Sequence, residues 1–182
     1  MKKLILSALV LLSVGCAQMK KQSAEPAPVE PAAVVPTKAQ AVLKPAPGYK
    51  VKGIVHFTTE NNSTKIETNI EGLKAGPHGF HIHEVGDCSK PDFSSAGGHF
   101  NPTSANHGDV HGDNRHVGDL GNIVADTKKK AKTNMTAEGL SMSGANSIIG
   151  KAIVIHKDKD DLKSQPAGNS GARIACGVIE AL

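Results

Sequence analysis

Histidine is concentrated in one part of this chain. Seven of the nine histidines lie between His78 and His116, and Asp119 follows the last of them by three residues. Imidazole is the commonest metal-ligand side chain, and a carboxylate adds an oxygen donor. The cluster offers more ligands than one tetrahedral site uses. It therefore predicts two metal ions, and a redox or hydrolytic enzyme rather than a small structural zinc site.

Strand geometry would position two of these histidines. In a β-strand, residues two apart point to the same side, so His81 and His83 share a face while Phe80 and Ile82 enter the core. The other candidates, three imidazoles and one carboxylate, form a set that suits tetrahedral zinc and lie in or at the end of a long loop. They are His99, His107, His116 and Asp119.

The elements that carry these residues have the pattern of β structure. Ile66, Thr68 and Ile70 alternate with charged or polar residues, and helical periodicity is absent after the N-terminal segment. Short strands with regular turn signals predict a sandwich or barrel. Two long loops, roughly residues 84–118 and 157–172, interrupt the pattern, and loops of this length are usually functional.

The first residues have the layout of a bacterial secretory signal. Lys2 and Lys3 precede an apolar run at 4–14, which is too short to span a bilayer. Cys16 follows Gly15 as in the lipobox of bacterial lipoproteins, although Ser13 stands where that pattern prefers leucine. We expect a signal peptide at 1–15 and a lipid on Cys16, which would anchor an exported protein to the bacterial cell envelope, on its periplasmic or cell-surface side. An ordinary secretory signal cleaved nearby is the alternative.

Proline-rich sequence follows the signal. Six prolines stand between residues 26 and 47, and proline favours an extended, semi-rigid chain. Residues 16–48 are therefore predicted to be a lipidated N-terminus and tether. A first strand of the domain is disfavoured there, because proline is confined to sheet edges. This assigns one domain to residues 49–182.

Charge and cysteine content narrow the function further. The formal net charge of +4, without a concentrated basic stripe, argues against nucleic-acid binding, and 128–130 is predicted to be a solvated lysine turn. Three cysteines are an odd number for an exported protein. If Cys16 carries lipid, Cys88 and Cys176 remain as a pair, and a disulfide is expected outside the cytosol. Two free buried thiols would require a reducing compartment.

Four segments in order resemble the copper/zinc superoxide dismutases. They read GFHIHE at 79–84, GHFNP at 98–102, HVGDLGN at 116–122 and ACGVI at 175–179. The resemblance covers essentially all of residues 49–182, and the spacing of the histidines matches as well. It implies an all-β fold, a Greek-key β-sandwich or flattened eight-stranded barrel with two long functional loops.

The resemblance also implies one copper and one zinc ion per chain. Copper would be held by His81, His83, His99 and His156, a set of four imidazoles that suits copper(II). Zinc would be held by His99, His107, His116 and Asp119. The shared residue, His99, would bridge the two ions as an imidazolate.

Further residues receive roles from the same resemblance. Asp160 would link His81 with His107 and fix their ring orientations. Arg173 would bind the anionic substrate beside copper, and His99 would take part in catalysis. A disulfide between Cys88 and Cys176 would pin the first long loop near Arg173.

The implied activity is the conversion of superoxide to dioxygen and hydrogen peroxide. Copper would alternate between two oxidation states, and His99 would leave copper and gain a proton on reduction. A scaffold that stores copper and zinc without turnover is the alternative, but the presence of His156 and Arg173 favours the enzyme. An adhesive sandwich with incidental histidines is disfavoured by the complete ligand spacing. The resemblance is compatible with a homodimer.

Four residues lie outside these sets. His56 is predicted to lie on the surface and His78 to be structural. His111 matches no ligand position, with an auxiliary metal contact as the alternative. Lys163 is a candidate for steering substrate, with a solvated loop lysine as the alternative.

Overall fold

Nine β-strands form the fold in the computed structural model, which describes residues 35–60 and 63–182, and several of them alternate buried and exposed side chains. On β3, Thr64, Ile66, Thr68 and Ile70 are buried while the residues between them are exposed, as the alternation predicted. The strands are β1 (Lys38–Pro45), β2 (Lys52–Glu60), β3 (Ser63–Glu71), β4 (Gly76–His83), β5 (Asp119–Ala125), β6 (Lys130–Ala131), β7 (Asn134–Glu138), β8 (Ala152–His156) and β9 (Arg173–Ala181). A 3₁₀ turn at Ser94–Ala96 is the one helical element of the described residues.

All the strand pairs are antiparallel and follow the order β5-β4-β8-β9-β1-β2-β3-β6, with β7 also pairing with β3. Because β6 and β7 are consecutive and share one partner, they act as one interrupted strand, which gives eight strand positions. A turn at 126–129 joins β5 to β6, and so brings the two ends of the order together. Strands β3 and β4 follow each other in sequence but are not neighbours in the barrel, and the same is true of β7 and β8. The predicted Greek-key barrel is confirmed.

The inside of the barrel is filled with aliphatic side chains and phenylalanine. The largest fully buried members include Phe57, Ile66, Phe80, Ile82 and Ile153. The two long connections lie outside this core. The first runs from the end of β4 to the start of β5, residues 84–118, and the second from the end of β8 to the start of β9, residues 157–172. These are the bounds that the sequence predicted.

Strand β1 corrects the predicted start of the domain. It lies between β2 and β9, with Ala41 opposite both Val55 and Ile179. The described residues, 35–60 and 63–182, belong to one compact unit. The prediction of a tether at 16–48 was therefore wrong for residues 38–45, which belong to the barrel rather than to a spacer.

The proline argument failed at β1 for a positional reason. Pro36 precedes the strand and Pro45 ends it, so neither removes a donor from the strand interior. Between them Ala39, Ala41 and Leu43 alternate with exposed or half-buried residues and are themselves buried. Two of these three apolar side chains are alanines, which made the alternation weak as a signal.

The predicted signal peptide at 1–15, the lipidated Cys16 and the first part of the tether lie outside the described residues. Among the residues described, no helix is both long enough and apolar enough to cross a membrane.

Candidate metal centre

Strand β4 is buried on both faces, which explains how it holds histidines rigidly. Phe80 and Ile82 are fully buried in the barrel core. His81 and His83 point to the other side, where the loops cover them, and they are 0% and 1% exposed. A β-bulge between Gly79 and His81 adjusts the pairing of β4 with β5, as bulges beside functional sites often do.

The first loop is fastened to β4 by backbone hydrogen bonds. Phe100 donates to the carbonyl of Ile82, Ile82 donates to that of Gly118, and Gly118 donates to that of Phe100. An isolated antiparallel bridge also pairs His83 with His99. A Cβ atom at position 118 would collide with the carbonyl oxygen of Ile82, so only glycine permits this approach.

This arrangement brings four histidines together in what we call the four-histidine cluster. One ring nitrogen from each lies within 4.8 Å of those of the others, and all four residues are buried. The members are His81 and His83 on β4, His99 in the first loop and His156 at the end of β8. All four positions assigned to copper in the sequence are thus in one place.

A second group, the His/Asp cluster, gathers around one oxygen atom. The Nδ1 atoms of His99, His107 and His116 lie 2.7, 3.0 and 3.1 Å from Oδ1 of Asp119. The other carboxylate oxygen, Oδ2, accepts hydrogen bonds from the backbone N–H groups of Gly108 and His116. Three imidazoles and one carboxylate oxygen therefore face a common point, which is the donor set of a closed zinc site.

The hydrogen bonds of the four histidine rings leave one nitrogen of each ring facing the cluster. His83 donates from Nδ1 to the carbonyl of Gly97, and His156 donates from Nδ1 to that of Gly171, which leaves each Nε2 facing the cluster. These two Nε2 atoms lie 3.4 Å apart. His81 Nδ1 and His99 Nε2 are buried with no hydrogen-bond partner among the described residues. Buried unpaired nitrogens are costly, and a metal ion facing them would satisfy them.

The lowered pKa values of the histidines in this cluster favour metal binding. Burial lowers the pKa of His81 to about 4 despite its hydrogen bond to Asp160. Burial and the neighbouring His81 lower the pKa of His156 to about 3, and burial also lowers that of His83. These imidazoles are therefore neutral near pH 7, with lone pairs available to a metal.

In the His/Asp cluster, burial lowers the pKa of His116 as it does in the four-histidine cluster, but Asp119 and His107 behave differently. Burial alone would raise the pKa of Asp119, but its contacts with His107 and His99 outweigh burial and hold the pKa far below its usual range. Burial lowers the pKa of His107, but the carboxylates of Asp119 and Asp160 outweigh it and raise the pKa to about 9. A metal ion would displace this proton, so metal binding here should weaken as pH falls.

Asp160 joins the two clusters from behind. Its Oδ2 atom lies 2.7 Å from Nε2 of His81, and its Oδ1 atom lies 3.0 Å from Nε2 of His107. The carboxylate is fully buried, and both rings donate to it. It therefore leaves the Nδ1 atom of each ring for a metal. This is the linking position that the sequence predicted for Asp160.

Two amide side chains to which the sequence pattern assigned no role hold this arrangement. Asn122 both accepts from the backbone N–H of Asp160 and donates to its carbonyl, at 2.8 and 2.9 Å. Gln165 does the same to the backbone of His107, at 2.8 and 2.9 Å. Each amide makes the two backbone hydrogen bonds that a neighbouring strand would otherwise make to one residue. Such a contact between distant segments has no local signal in the sequence.

Gly168 was also missed. Its φ of +64° is in the left-handed region, and a Cβ atom there would collide with the Asp160 carboxylate and lie 2.6 Å from Nε2 of His107. Its backbone carbonyl accepts from the N–H of Asp161. Position 168 therefore requires glycine for both conformation and space.

Arg173 is tied to the four-histidine cluster through a shared acceptor. Its guanidinium donates from Nη2 to the carbonyl of Gly97 at 2.6 Å, and from Nη1 to that of Phe93 at 2.7 Å. The carbonyl of Gly97 also accepts from His83. Arg173 is half-buried at the start of β9, opposite His156 on β8. The structure thus places a fixed cation next to the cluster.

A disulfide secures the loop segment that holds Arg173. Cys88 and Cys176 are bonded, with their Cα atoms 5.8 Å apart. A small apolar cluster surrounds the bond, in which Phe93 and Ala96 of the loop pack with residues of β8 and β9. The predicted cysteine pairing is confirmed, and it fixes the segment whose Phe93 carbonyl receives the guanidinium.

The remaining histidines and Lys163 lie outside both clusters. His78 is buried and its ring contacts the carbonyls of His156 and Lys74, a structural position as predicted. His56 and His111 are exposed, and neither belongs to a metal-ligand group among residues 35–60 and 63–182. Lys163 is exposed in the second loop, and its steering role stays a prediction.

Comparison with known proteins agrees with this geometry. Residues 51–179 match the family model for copper/zinc superoxide dismutase. An extracellular Cu-Zn superoxide dismutase of Brugia pahangi is 44% identical over 71% of this chain and 69% of its own length. Superoxide dismutase [Cu-Zn] 5 of Dictyostelium discoideum is 44% identical over 72% of this chain and 91% of its own length.

A solved structure points to the same fold. The crystal structure of the clock protein EA4 superposes with a TM-score of 0.76 at 40% identity, and the match covers 82% of this chain and 97% of that protein. Because the family model spans most of the barrel and both relatives are 44% identical over most of their length, we conclude that this chain belongs to the copper/zinc superoxide dismutase family.

Proposed function

We propose that the chain converts superoxide to dioxygen and hydrogen peroxide outside the cytoplasm, with a copper ion in the four-histidine cluster and a zinc ion in the His/Asp cluster. The observation that supports this most directly is the position of His99. Its Nδ1 lies 2.7 Å from the Asp119 carboxylate, while its Nε2 is buried without a partner among the described residues, on the side of the other cluster. One ring therefore serves both ligand sets.

The assignment of ligands follows from which nitrogens are free. His81, His83, His99 and His156 would hold copper, and His99, His107, His116 and Asp119 would hold zinc. Bound copper would supply the one-electron redox chemistry, since it accepts an electron from one superoxide and gives it to the next. The protein contributes orientation, charge and proton handling.

Arg173 would bind the substrate. Its guanidinium is fixed by two carbonyls and remains cationic at any physiological pH. A fixed cation beside the cluster would attract a small anion and hold it by hydrogen bonds. Because both anchoring carbonyls belong to the first loop, the disulfide at Cys88 helps to keep the cation in place.

His99 would handle a proton. Formation of hydrogen peroxide consumes two protons, and a proton donor near the reacting anion lowers the barrier. Nε2 of His99 faces the cluster and has no competing partner in the described part of the chain, so it is the ring atom that could hold and release a proton there. The Nδ1 side of the ring would stay in the His/Asp cluster, beside Asp119, meanwhile.

Superoxide decay measured on metal-loaded protein tests these assignments. We expect His156→Ala to remove one copper ligand and most of the activity, and Arg173→Ala to keep copper but lose roughly tenfold or more in rate, as expected for loss of a charge that steers substrate. His56→Ala, an exposed histidine, is the matched control. If the loaded wild-type protein is no faster than His156→Ala, the catalytic proposal fails, and strong copper binding without turnover would favour the scaffold.

The location outside the cytoplasm rests on independent support. A disulfide is typical of oxidising compartments, and one of the relatives is an extracellular protein. The N-terminal sequence has the layout of a secretory signal, and a lipid on Cys16 would anchor the protein in a bacterial envelope. Cell fractionation of wild-type protein and Cys16→Ser tests the anchor. Release of the variant from the membrane fraction is expected, and retention would contradict lipid anchoring at this residue.

A further inference from the structure

A cavity of about 450 Å³ opens where four connections between strands meet, apart from both metal clusters. Its walls come from the connection between β1 and β2, the connection between β3 and β4, the turn between β5 and β6, and the start of the second long loop. This volume is within the range of about 300–1,000 Å³ that small-molecule sites occupy. The family assignment and the dismutase reaction give this cavity no role.

The rim of the cavity is positively charged. Each of the four connections contributes one exposed lysine: Lys50, Lys74, Lys129 and Lys157. Asp158 is the one acidic residue that lines the opening. Within the described part of the chain, none of the four lysines lies in ion-pair distance of a carboxylate, whereas Lys65 and Lys130 elsewhere do.

The four lysines and Asp158 give this opening a local charge of +3, in a chain whose formal net charge is +4. Four cations at one opening repel each other, and the repulsion is reduced by an anion that contacts several of them. Lysine is a point charge that suits phosphate, which offers several acceptor oxygens. The rim therefore favours a phosphate group over a single carboxylate.

The floor of the cavity has a different character. Leu73, Val51 and Ile174 lie beneath the floor and are 0%, 1% and 2% exposed, so they offer a ligand almost no surface. His78 also reaches the floor, but two carbonyls occupy its ring nitrogens. Tyr49, which is 38% exposed, adds an aromatic wall at the opening. A ligand that fits both parts has an anionic head for the lysine rim and an apolar body for the Tyr49 wall.

We propose that this cavity binds a small organic phosphate whose apolar portion packs against the exposed ring of Tyr49 while its phosphate contacts the lysine rim. The binding does not depend on the dismutase reaction. The side chain of Tyr49 would change environment when the site is filled.

Intrinsic fluorescence gives a site-specific test, because Tyr49 is the single tyrosine of the chain and tryptophan is absent. The copper- and zinc-loaded full chain is titrated with hexyl phosphate, inorganic phosphate and hexanol. We expect a saturable change in tyrosine fluorescence with hexyl phosphate, at a dissociation constant at least about tenfold lower than for either partial probe, because a buried six-carbon chain adds several times the contribution of one CH₂ group.

Paired variants separate the rim from general surface charge. Lys50→Gln/Lys129→Gln should weaken hexyl phosphate binding about tenfold, since two exposed charge contacts are lost. Lys90→Gln/Lys132→Gln, which removes two exposed lysines away from the cavity, should leave it unchanged. The proposal is overturned if no probe gives a saturable change at millimolar concentration, if inorganic phosphate binds as tightly as hexyl phosphate, or if both double variants lose affinity equally.

Discussion

The imidazole of His81 and the carboxylate of Asp160 lie 2.7 Å apart in a fully buried contact between β4 and the second long loop. Because Asp160 accepts the ring proton at Nε2, the Nδ1 atom of His81 is left facing the four-histidine cluster. The other oxygen of Asp160 does the same for His107 in the His/Asp cluster. One carboxylate thus orients a ligand of each metal.

Replacing Asp160 by asparagine should damage the zinc site most. The amide oxygen can still accept from one ring, but the amide N–H₂ group then opposes the N–H of the other. We expect zinc affinity to fall about 10- to 100-fold, the usual effect of losing a residue that orients a ligand. Competition with a chromogenic chelator measures this. Asp161→Asn changes a neighbouring carboxylate that contacts Ser164 and Asn169, and it should keep zinc affinity within about twofold.

Gly168→Ala should be more damaging than a positive φ alone explains. Gly144 has a similar φ of +71°, and a Cβ atom added there would have no other atom within 4 Å, so Gly144→Ala measures the backbone strain, about 1–2 kcal/mol. At position 168 the methyl group also displaces the Asp160 carboxylate. We expect a larger loss in the free energy of unfolding by urea, together with weaker zinc binding. Equal losses for the two variants would show that the close contact does not matter.

Gln165→Ala should release His107 without removing any ligand. The substitution deletes two hydrogen bonds to the backbone of His107, each worth about 1 kcal/mol. We expect zinc to dissociate roughly tenfold faster, measured by transfer to an excess of chelator. Gln165→Glu keeps the acceptor and should be intermediate. Ser164→Ala, in the same loop, loses only a side-chain contact to Asp161 and serves as the control; a similar rate for this variant would refute the specific role of Gln165.

The metal-free protein should lose stability on both sides of a maximum near pH 6.5. His81 and His156 have pKa values of about 4 and about 3 when folded, below 6.5 when unfolded, so the unfolded chain binds more protons as pH falls through this window. Each residue then lowers the free energy of unfolding by up to about 1.4 kcal/mol per pH unit.

His107 acts in the other direction, because its folded pKa is raised to about 9. Its contribution is complete below pH 6.5 and is lost as pH rises towards 9. Urea unfolding of the metal-free protein across this range measures both limbs. His107→Gln should flatten the alkaline limb and keep the acidic one. A variant that changes the acidic limb instead would contradict the assigned pKa shifts.

Period-2 alternation and motif spacing were sufficient to predict the parts of this molecule that depend on local geometry. The shared face of His81 and His83 follows from strand geometry, and the loops at 84–118 and 157–172 begin and end where strands do. The pairing of Cys88 with Cys176 followed from cysteine number and expected compartment, and the structure agrees.

Features that depend on contacts between distant segments were not predicted. Strand β1 is recognisable only through its pairing with β2 and β9, because its alternating residues are mostly small. The roles of Asn122 and Gln165 depend on which backbone groups the fold places beside them. The lysine-rimmed cavity likewise brings together four connections that are far apart in sequence.

The central claim is that His99 belongs to both metal sites, and magnetic coupling tests it most directly. The protein is loaded with copper(II) and with cobalt(II) in place of zinc, and the copper electron paramagnetic resonance signal is measured against the copper/zinc protein. A bridging ring would couple the two paramagnetic ions, so we predict that the copper signal is strongly diminished in the cobalt-substituted protein. An unchanged copper signal, with both ions bound in stoichiometric amounts, would contradict a shared His99.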